Sequence, residues 1–352
     1  MHVGLAGHRL ARGAADAIAA MRNLVATTIA FFALMCPLGL AHAESGDAER
    51  VWLARHPDTT LRVLVWNVDR SFFRENAGIL RVLDAVDADL LMLDEMPPGV
   101  SAEEIADALP AHTMPWQVLY GSGGGPHQRA SISVRATLQR VPEFDQLPYP
   151  RERFEAWVKA VPPEKQQRAL GSLEAGVATV AGVVEWQGRR LLVVGLDLEC
   201  CGDSDDSPQE QRRQFEAGAI RAAIDAVAEG LKIDAVLVGG DFNTVQGDTP
   251  VRIMQRGASA STSLTYPTPR HRDNTAADWT WDGRGTPYPS RRIDYLLHSD
   301  RLRVVQSQVF DSEDLPPCLQ QALKLDAALS RSLSPHRPIV VDFAWREATG
   351  DD

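Results

Sequence analysis

The sequence predicts an α/β layered domain, and three observations carry that expectation. Apolar runs of strand length recur along the chain, many are apolar on both alternating faces, and helical patterns lie between them. Strands apolar on both faces must be covered on both, which places helices outside a sheet. The runs are LRVLVWNV (61–68), ADLLMLDE (88–95), ASISVR (130–135), VATVAGVVEW (177–186), RLLVVGLDLEC (190–200), DAVLVGGDF (234–242), RIDYLLHS (292–299) and RPIVVDFAW (337–345). Helical periodicity shows at 75–86. It is clearest over 207–230, where Ser207, Pro208 and Glu210 form a capping-box start and Gly230 a stop. Within it Ala219, Ile220, Ala223, Ile224 and Val227 follow helical spacing and would cover a sheet. Residues 142–176, with several prolines and the charged stretch RERFEAWVKA, read as an insertion over one rim; 267–291 read as a second long loop.

Hydrophobic residues at 44% and charged residues at 24% of 352 exclude disordered, collagen-like and multi-span membrane classes. The N-terminus differs from the rest. Arg9, Arg12 and Arg22 precede the apolar stretch 24–40, which ends in AHA before Glu44. That order of basic, apolar and small residues predicts a signal peptide over 1–43 with cleavage after Ala43, and so a periplasmic or secreted protein with no transmembrane segment after cleavage. Residues 44–352 then form a single domain. Removing the signal takes away three Arg and one Asp, leaving 33 basic against 46 acidic residues and a formal charge of −13. Such a chain repels polyanions unless it binds cations or has a local basic patch. Cys200, Cys201 and Cys318 remain in an oxidising compartment, where a disulfide from Cys318 to either neighbour is one expectation and three buried thiols the other.

Several strand runs end in polar groups that a core does not explain: Trp66-Asn67, Asp94-Glu95, Asp197, Asp241-Phe242-Asn243, Asp294 and His336. Taken singly, each has a plainer reading as a turn or surface residue, and Asp241 with Asn243 would serve as Asx-turn caps. Gathered at one sheet mouth, they suit phosphate-ester hydrolysis. Carboxylates hold a hard divalent cation through oxygen, the cation offsets phosphate charge, and an acid or imidazole manages protons.

The order VLVWNV, DLLMLDE, VLVGGDFN, RRIDYLL, SPHRPIVV over about residues 61–345 resembles the endonuclease/exonuclease/phosphatase superfamily. The resemblance implies a four-layer α/β/β/α sandwich of two packed mixed sheets and a divalent metal, Mg2+ first, with Mn2+ or Ca2+ as alternatives. It implies that Glu95 ligates the metal beside Asn67, that Asp241 deprotonates a water positioned by Asn243, and that His336, held by Asp294, donates to phosphoryl oxygens. Two positions depart from the family pattern: Asp197 stands where a His is usual, and Pro335 where an Asp usually precedes the terminal His.

The remaining features concern the rim. Asp197, Arg129 and Trp281 are candidate substrate contacts. The segment 197–213 reads as a solvated acidic loop, with Arg212 and Arg213 either facing an anion or pairing with its acids. The glycine-rich 121–131, with His127, Gln128 and Arg129, lacks the P-loop pattern. The expected substrate is a small or lipid-linked phosphoester, ahead of nucleic acid. The alternatives are a secreted DNA endonuclease and a catalytically degenerate binding protein, the latter favoured by Asp197 and Pro335.

Overall fold

A computed structural model describes residues 53–72, 76–125, 128–202 and 204–347. The expected signal peptide and His127 lie outside the described residues. The elements run β1 (Leu61–Asn67), α1 (Asn76–Val86), β2 (Leu90–Asp94), α2 (Ala102–Ala108), β3 (Gln117–Tyr120), β4 (Ser131–Val134), β5 (Thr137–Arg140), α3 (Arg151–Ala160), α4 (Pro163–Ala175), β6 (Thr179–Trp186) and β7 (Arg189–Asp197). They continue with α5 (Pro208–Leu231), β8 (Ala235–Asp241), α6 (Thr249–Gln255), β9 (Leu264–Thr265), β10 (Asp294–Ser299), β11 (Leu302–Val309), α7 (Pro317–Leu323), α8 (Leu329–Leu333) and β12 (Ile339–Trp345).

Two six-stranded sheets form, ordered β11-β12-β1-β2-β4-β3 and β5-β6-β7-β8-β10-β9. Both are mixed. The pairs β1/β2 and β7/β8 are parallel, and the other pairings are antiparallel. Side chains alternate between faces with period two, and that alternation builds the layers. Val63, Val65, Leu90, Met92, Leu191, Val193, Ala235, Leu237, Leu296, Ile339 and Val341 meet between the sheets. Their neighbours point outward. Leu64, Trp66, Leu91 and Leu93 pack on Ile79 and Val82 of α1, Ile105 of α2 and Leu329 and Leu333 of α8. Leu192, Val194, Val236 and Val238 pack on Ile220, Ile224 and Val227 of α5 and on Phe154 and Trp157 of α3. The result is the expected α/β/β/α sandwich.

Three local expectations change. Residues 142–176 do not sit over a rim: Phe144, Tyr149, Phe154, Trp157, Val158 and Val161 belong to the core outside the second sheet. Helix α5 runs past Gly230 and ends on Lys232, which takes the left-handed conformation at φ +50°. At its other end the Ser207 side chain accepts the Glu210 N–H at 3.2 Å, whereas the Glu210 carboxylate turns to Arg213. Finally, Cys200 and Cys201 are exposed and in no disulfide, so neither forms the bond to Cys318.

Candidate functional site

The site follows from the same period-two alternation. On β1 the inward positions 61, 63 and 65 are apolar and the next is Asn67; on β2, Leu90 and Met92 lead to Asp94. On β7, Leu191, Val193 and Gly195 lead to Asp197, and on β8, Ala235, Leu237 and Gly239 lead to Asp241. Strand β10 runs the other way, so Leu296 is preceded inward by Asp294. Register then lines these residues up across the strands: Asn67 opposite Asp94, Asp197 opposite Asp241, and Asp241 opposite Asp294. One amide and four carboxyls thus cap the inter-sheet core at one end, all at most 2% exposed. Close approach of the strands beneath them needs small residues. A Cβ at Gly240, where φ is +141°, would lie 1.9 Å from the Leu196 carbonyl oxygen.

Two turns bring further groups over this floor. Glu95 and Asn243 follow β2 and β8 and adopt φ +48° and +50°. Left-handed backbone costs a non-glycine residue roughly 1–2 kcal/mol, a strain of the kind found at functional sites. The Asn67 amide donates to Glu95 Oε1 and to Asp241 Oδ2, both at 3.2 Å. The Asn243 N–H donates to Asp241 Oδ1 at 2.8 Å, and its side-chain amide donates to the Leu198 carbonyl at 2.9 Å. Arg70 Nε lies 3.7 Å from Glu95 Oε2.

His336 completes the set from the C-terminal side. Its Nδ1 lies 3.0 Å and 3.1 Å from the two Asp294 oxygens, while Nε2 faces Asp241 Oδ2 at 3.8 Å. The segment carrying it is pinned from several directions. Trp66 Nε1–H donates to the His336 carbonyl at 3.1 Å, the Ser334 hydroxyl donates to the Asn67 carbonyl at 2.7 Å, and the His336 N–H donates back to that hydroxyl at 3.0 Å. The Thr280 hydroxyl oxygen accepts the Asp294 N–H at 3.0 Å and so fixes the carboxylate partner.

Electrostatics here is set by five carboxyls around one imidazole. Burial alone would lower the His336 pKa, but Asp294 and Asp241 outweigh it and hold the ring up at about 9. Burial, and then the neighbouring Asp294, raises Asp241 to about 8, opposed by His336. Asp94 and Asp197 are pushed well up, first by burial and then by the nearby carboxylates. Neither oxygen of Asp94 has a hydrogen-bond partner, nor does Asp197 Oδ2. Buried carboxylates without donors need cations or protons. Two groups bring ligand atoms within 4.8 Å of one another, Asp241/Asp294/His336 and Asp94/Asp197/Asp241. This oxygen-rich donor set fits a hard divalent ion.

The structure therefore brings Asn67, Glu95, Asp197, Asp241, Asn243, Asp294 and His336 together. Trp281 is half-buried beside them, its backbone bridging both Arg291 and His336. Arg129 is near through its carbonyl, which accepts the Met96 N–H at 2.9 Å, but its guanidinium braces the glycine-rich loop on the Ser122 and Gly123 carbonyls. Arg212 and Arg213 pair internally, Arg212 with Glu199 and Glu216 and Arg213 with Glu210. Asp205 and Asp206 are exposed, as a solvated loop should be. Ser334 and Thr280 received no role from the sequence, and Asp94 only a place among the strand-end acids. For Asp94 a signal existed, because counting in twos from Leu90 places it inward.

A family model described as the Endonuclease/Exonuclease/phosphatase family matches residues 64–336. No curated protein sequence matches. Among solved structures, an endonuclease/exonuclease/phosphatase from Beutenbergia cavernae aligns at 17% identity and TM-score 0.51, covering 82% of this chain and 72% of that one. TDP2 from Caenorhabditis elegans aligns at 15% and 0.51 over 81% and 74%, and the human Nocturnin catalytic domain with bound sulfate at 15% and 0.50 over 82% and 94%. Identities this low speak for the fold alone. With that fold and with the family model spanning its inward polar layer, the chain belongs to the Endonuclease/Exonuclease/phosphatase family, whose members are typically metal-dependent hydrolases of phosphate-ester bonds.

Proposed function

We propose that the protein is an exported, metal-dependent phosphoesterase in which water attacks phosphorus in line, with no covalent enzyme intermediate. The observation that carries the reading is the buried His336–Asp294 pair whose free ring nitrogen faces Asp241 at 3.8 Å, beside Asn67 and Glu95. Glu95 and Asn67 would hold a divalent cation, expected to be Mg2+ and replaceable by Mn2+ or Ca2+, which supplies charge neutralisation at the phosphoryl oxygens. Asp241 accepts the water's proton and Asn243 orients the water. His336, kept charged by Asp294, donates to the developing charge on phosphate.

A compact substrate, small or lipid-linked, fits better than a duplex. The mature charge of −13 disfavours a polyanion. A polar cleft of about 300 Å³, lined by Asp69, Ser71, Arg331 and Ser334 among others, adjoins the His336 segment at Pro335; that volume is at the lower end for small-ligand sites. Trp281 flanks the mouth as a candidate contact and Asp197 lies in its floor, while Arg129 would reach a substrate only by giving up its bonds to the Ser122 and Gly123 carbonyls. Assays at equal enzyme and physiological salt in Mg2+ should rank a phosphomonoester, phosphodiester or phospholipid above plasmid DNA. Faster plasmid cutting would make the protein a secreted DNA endonuclease instead. Silence toward every substrate, in folded protein, would favour the binding-protein reading to which Asp197 and Pro335 point. Export has its own check, because the mature N-terminus should be at or near Glu44. Membrane-bound protein retaining residues 24–40 would contradict it.

A further inference from the structure

The proposed phosphoesterase site uses Glu95 and Asn67 for a cation and Asp241 for the water, and leaves the buried carboxyls of Asp94 and Asp197 without work. Asp94, Asp197 and Asp241 end three neighbouring strands, β2, β7 and β8, and all three point into the gap between the sheets. Their exposures are 1%, 2% and 2%, so water does not satisfy them. Asp94 has no hydrogen-bond partner on either oxygen and Asp197 none on Oδ2. One oxygen from each lies within 4.8 Å of the others. Oxygens at most 4.8 Å apart share a centre no farther than about 2.8 Å from each, so side-chain shifts of a few tenths of an ångström bring all three to a Ca2+–oxygen distance of roughly 2.4 Å. No Lys or Arg side chain makes an ion pair with any of the three among the described residues, which leaves their charge uncompensated by the protein itself apart from His336 at 3.8 Å from Asp241. Three ionised groups in this arrangement would repel one another across a dry interior.

We propose that Asp94, Asp197 and Asp241 hold a second hard divalent cation, beneath and separate from the one assigned to Glu95 and Asn67. Oxygen-only ligation by three carboxylates selects Mg2+, Mn2+ or Ca2+ over ions that favour nitrogen or sulfur. The ion joins β2 of one sheet to β7 and β8 of the other, so it ties the two halves of the sandwich together at the site. Its effect is structural as well as electrostatic. Melting temperature therefore reports it without reference to catalysis.

The test uses chelator-treated mature protein titrated with Mn2+, counted by electron paramagnetic resonance and by calorimetry. Wild type should bind two ions per chain. Glu95→Gln should bind one, while Asp94→Asn combined with Asp197→Asn should also bind one, with the Glu95-dependent ion retained. The near-isosteric Asn replacements keep the fold testable. In chelator the double variant should melt at least as high as wild type, because it lacks the uncompensated carboxylates, and Mn2+ should raise its melting temperature less. Wild type that binds one ion, unaffected by Glu95→Gln and lost in the Asp94/Asp197 double variant, would count against the proposed function and leave this site standing. Equal Mn2+ stoichiometry, affinity and melting response in wild type and the Asp94/Asp197 double variant would overturn the second site, the three acids then being held by protons.

Discussion

Asp241→Ala is expected to lower phosphoester hydrolysis by about 10³-fold or more, within the 10²–10⁴ range for losing a general base, with the protein still folded. Asp241 is where the site's contacts converge. It accepts the Asn243 N–H and the Asn67 amide, faces His336 Nε2, and shares a register line with Asp197 and Asp294. Removing it takes away the water's acceptor and one ligand of the inner cation together. Stability should respond in the opposite sense from activity. Burial and Asp294 raise the Asp241 pKa from 3.8 to about 8, so the folded state binds the extra proton in that interval. Protein freed of metal must then lose stability as pH climbs through this window. Asp241→Asn should flatten that loss. A denaturant titration series across pH 4 to pH 8 in chelator reads it, and turnover near wild type in Asp241→Ala would remove the enzyme assignment from these residues.

The second large effect concerns His336 and Asp294, 42 positions apart in sequence and in contact through Nδ1. His336→Ala alone should cost about 10²-fold or more in turnover, the scale of losing a general acid or charge stabiliser. Asp294→Asn should also slow turnover, because the partner carboxylate is what keeps the buried ring charged against its own desolvation. Both act through one imidazole, so adding Asp294→Asn to His336→Ala should cost little more. The pair also carries a pH signature. With the ring's pKa raised from 6.5 to about 9, its stabilisation is fully present below pH 6.5 and lost as pH rises through 9. Asp294→Asn should shift that loss to lower pH, measurable by titrating the His336 ring protons by NMR. Multiplicative kinetic losses in the double mutant would dissolve the pair.

How much of this was legible in the sequence depended on burial. The eight runs read as strands became β1, β2, β4, β6, β7, β8, β10 and β12, each buried along most of its length. The four strands that escaped, β3, β5, β9 and β11, are the four sheet edges. An edge strand keeps one side toward solvent, so Gln117, Thr137, Gln139 and Arg303 interrupt the apolar signal there. The α3 and α4 region misled for a related reason. Its charged residues face water, while Phe154 and Trp157, three apart, carry the packing. Strand-end acids stood out because a carboxylate closing an apolar run has no packing explanation. What sequence could not give was inwardness across strands: Asp94 meets Asp197 and Asp241 only once two sheets stack. Nor could it show that Arg129, Arg212 and Arg213 spend their guanidinium groups on the protein's own carbonyls and carboxylates.

The inward polar layer is proposed to hydrolyse phosphate esters with a divalent ion. Hydrolysis of bis-p-nitrophenyl phosphate by chelator-treated mature protein, before and after adding back Mg2+ or Mn2+, tests it most directly. Turnover should vanish with chelator, return with either ion, and fail to return in Asp241→Ala. Folded wild-type protein that stays inactive with both ions, or turnover indifferent to chelator, would contradict it.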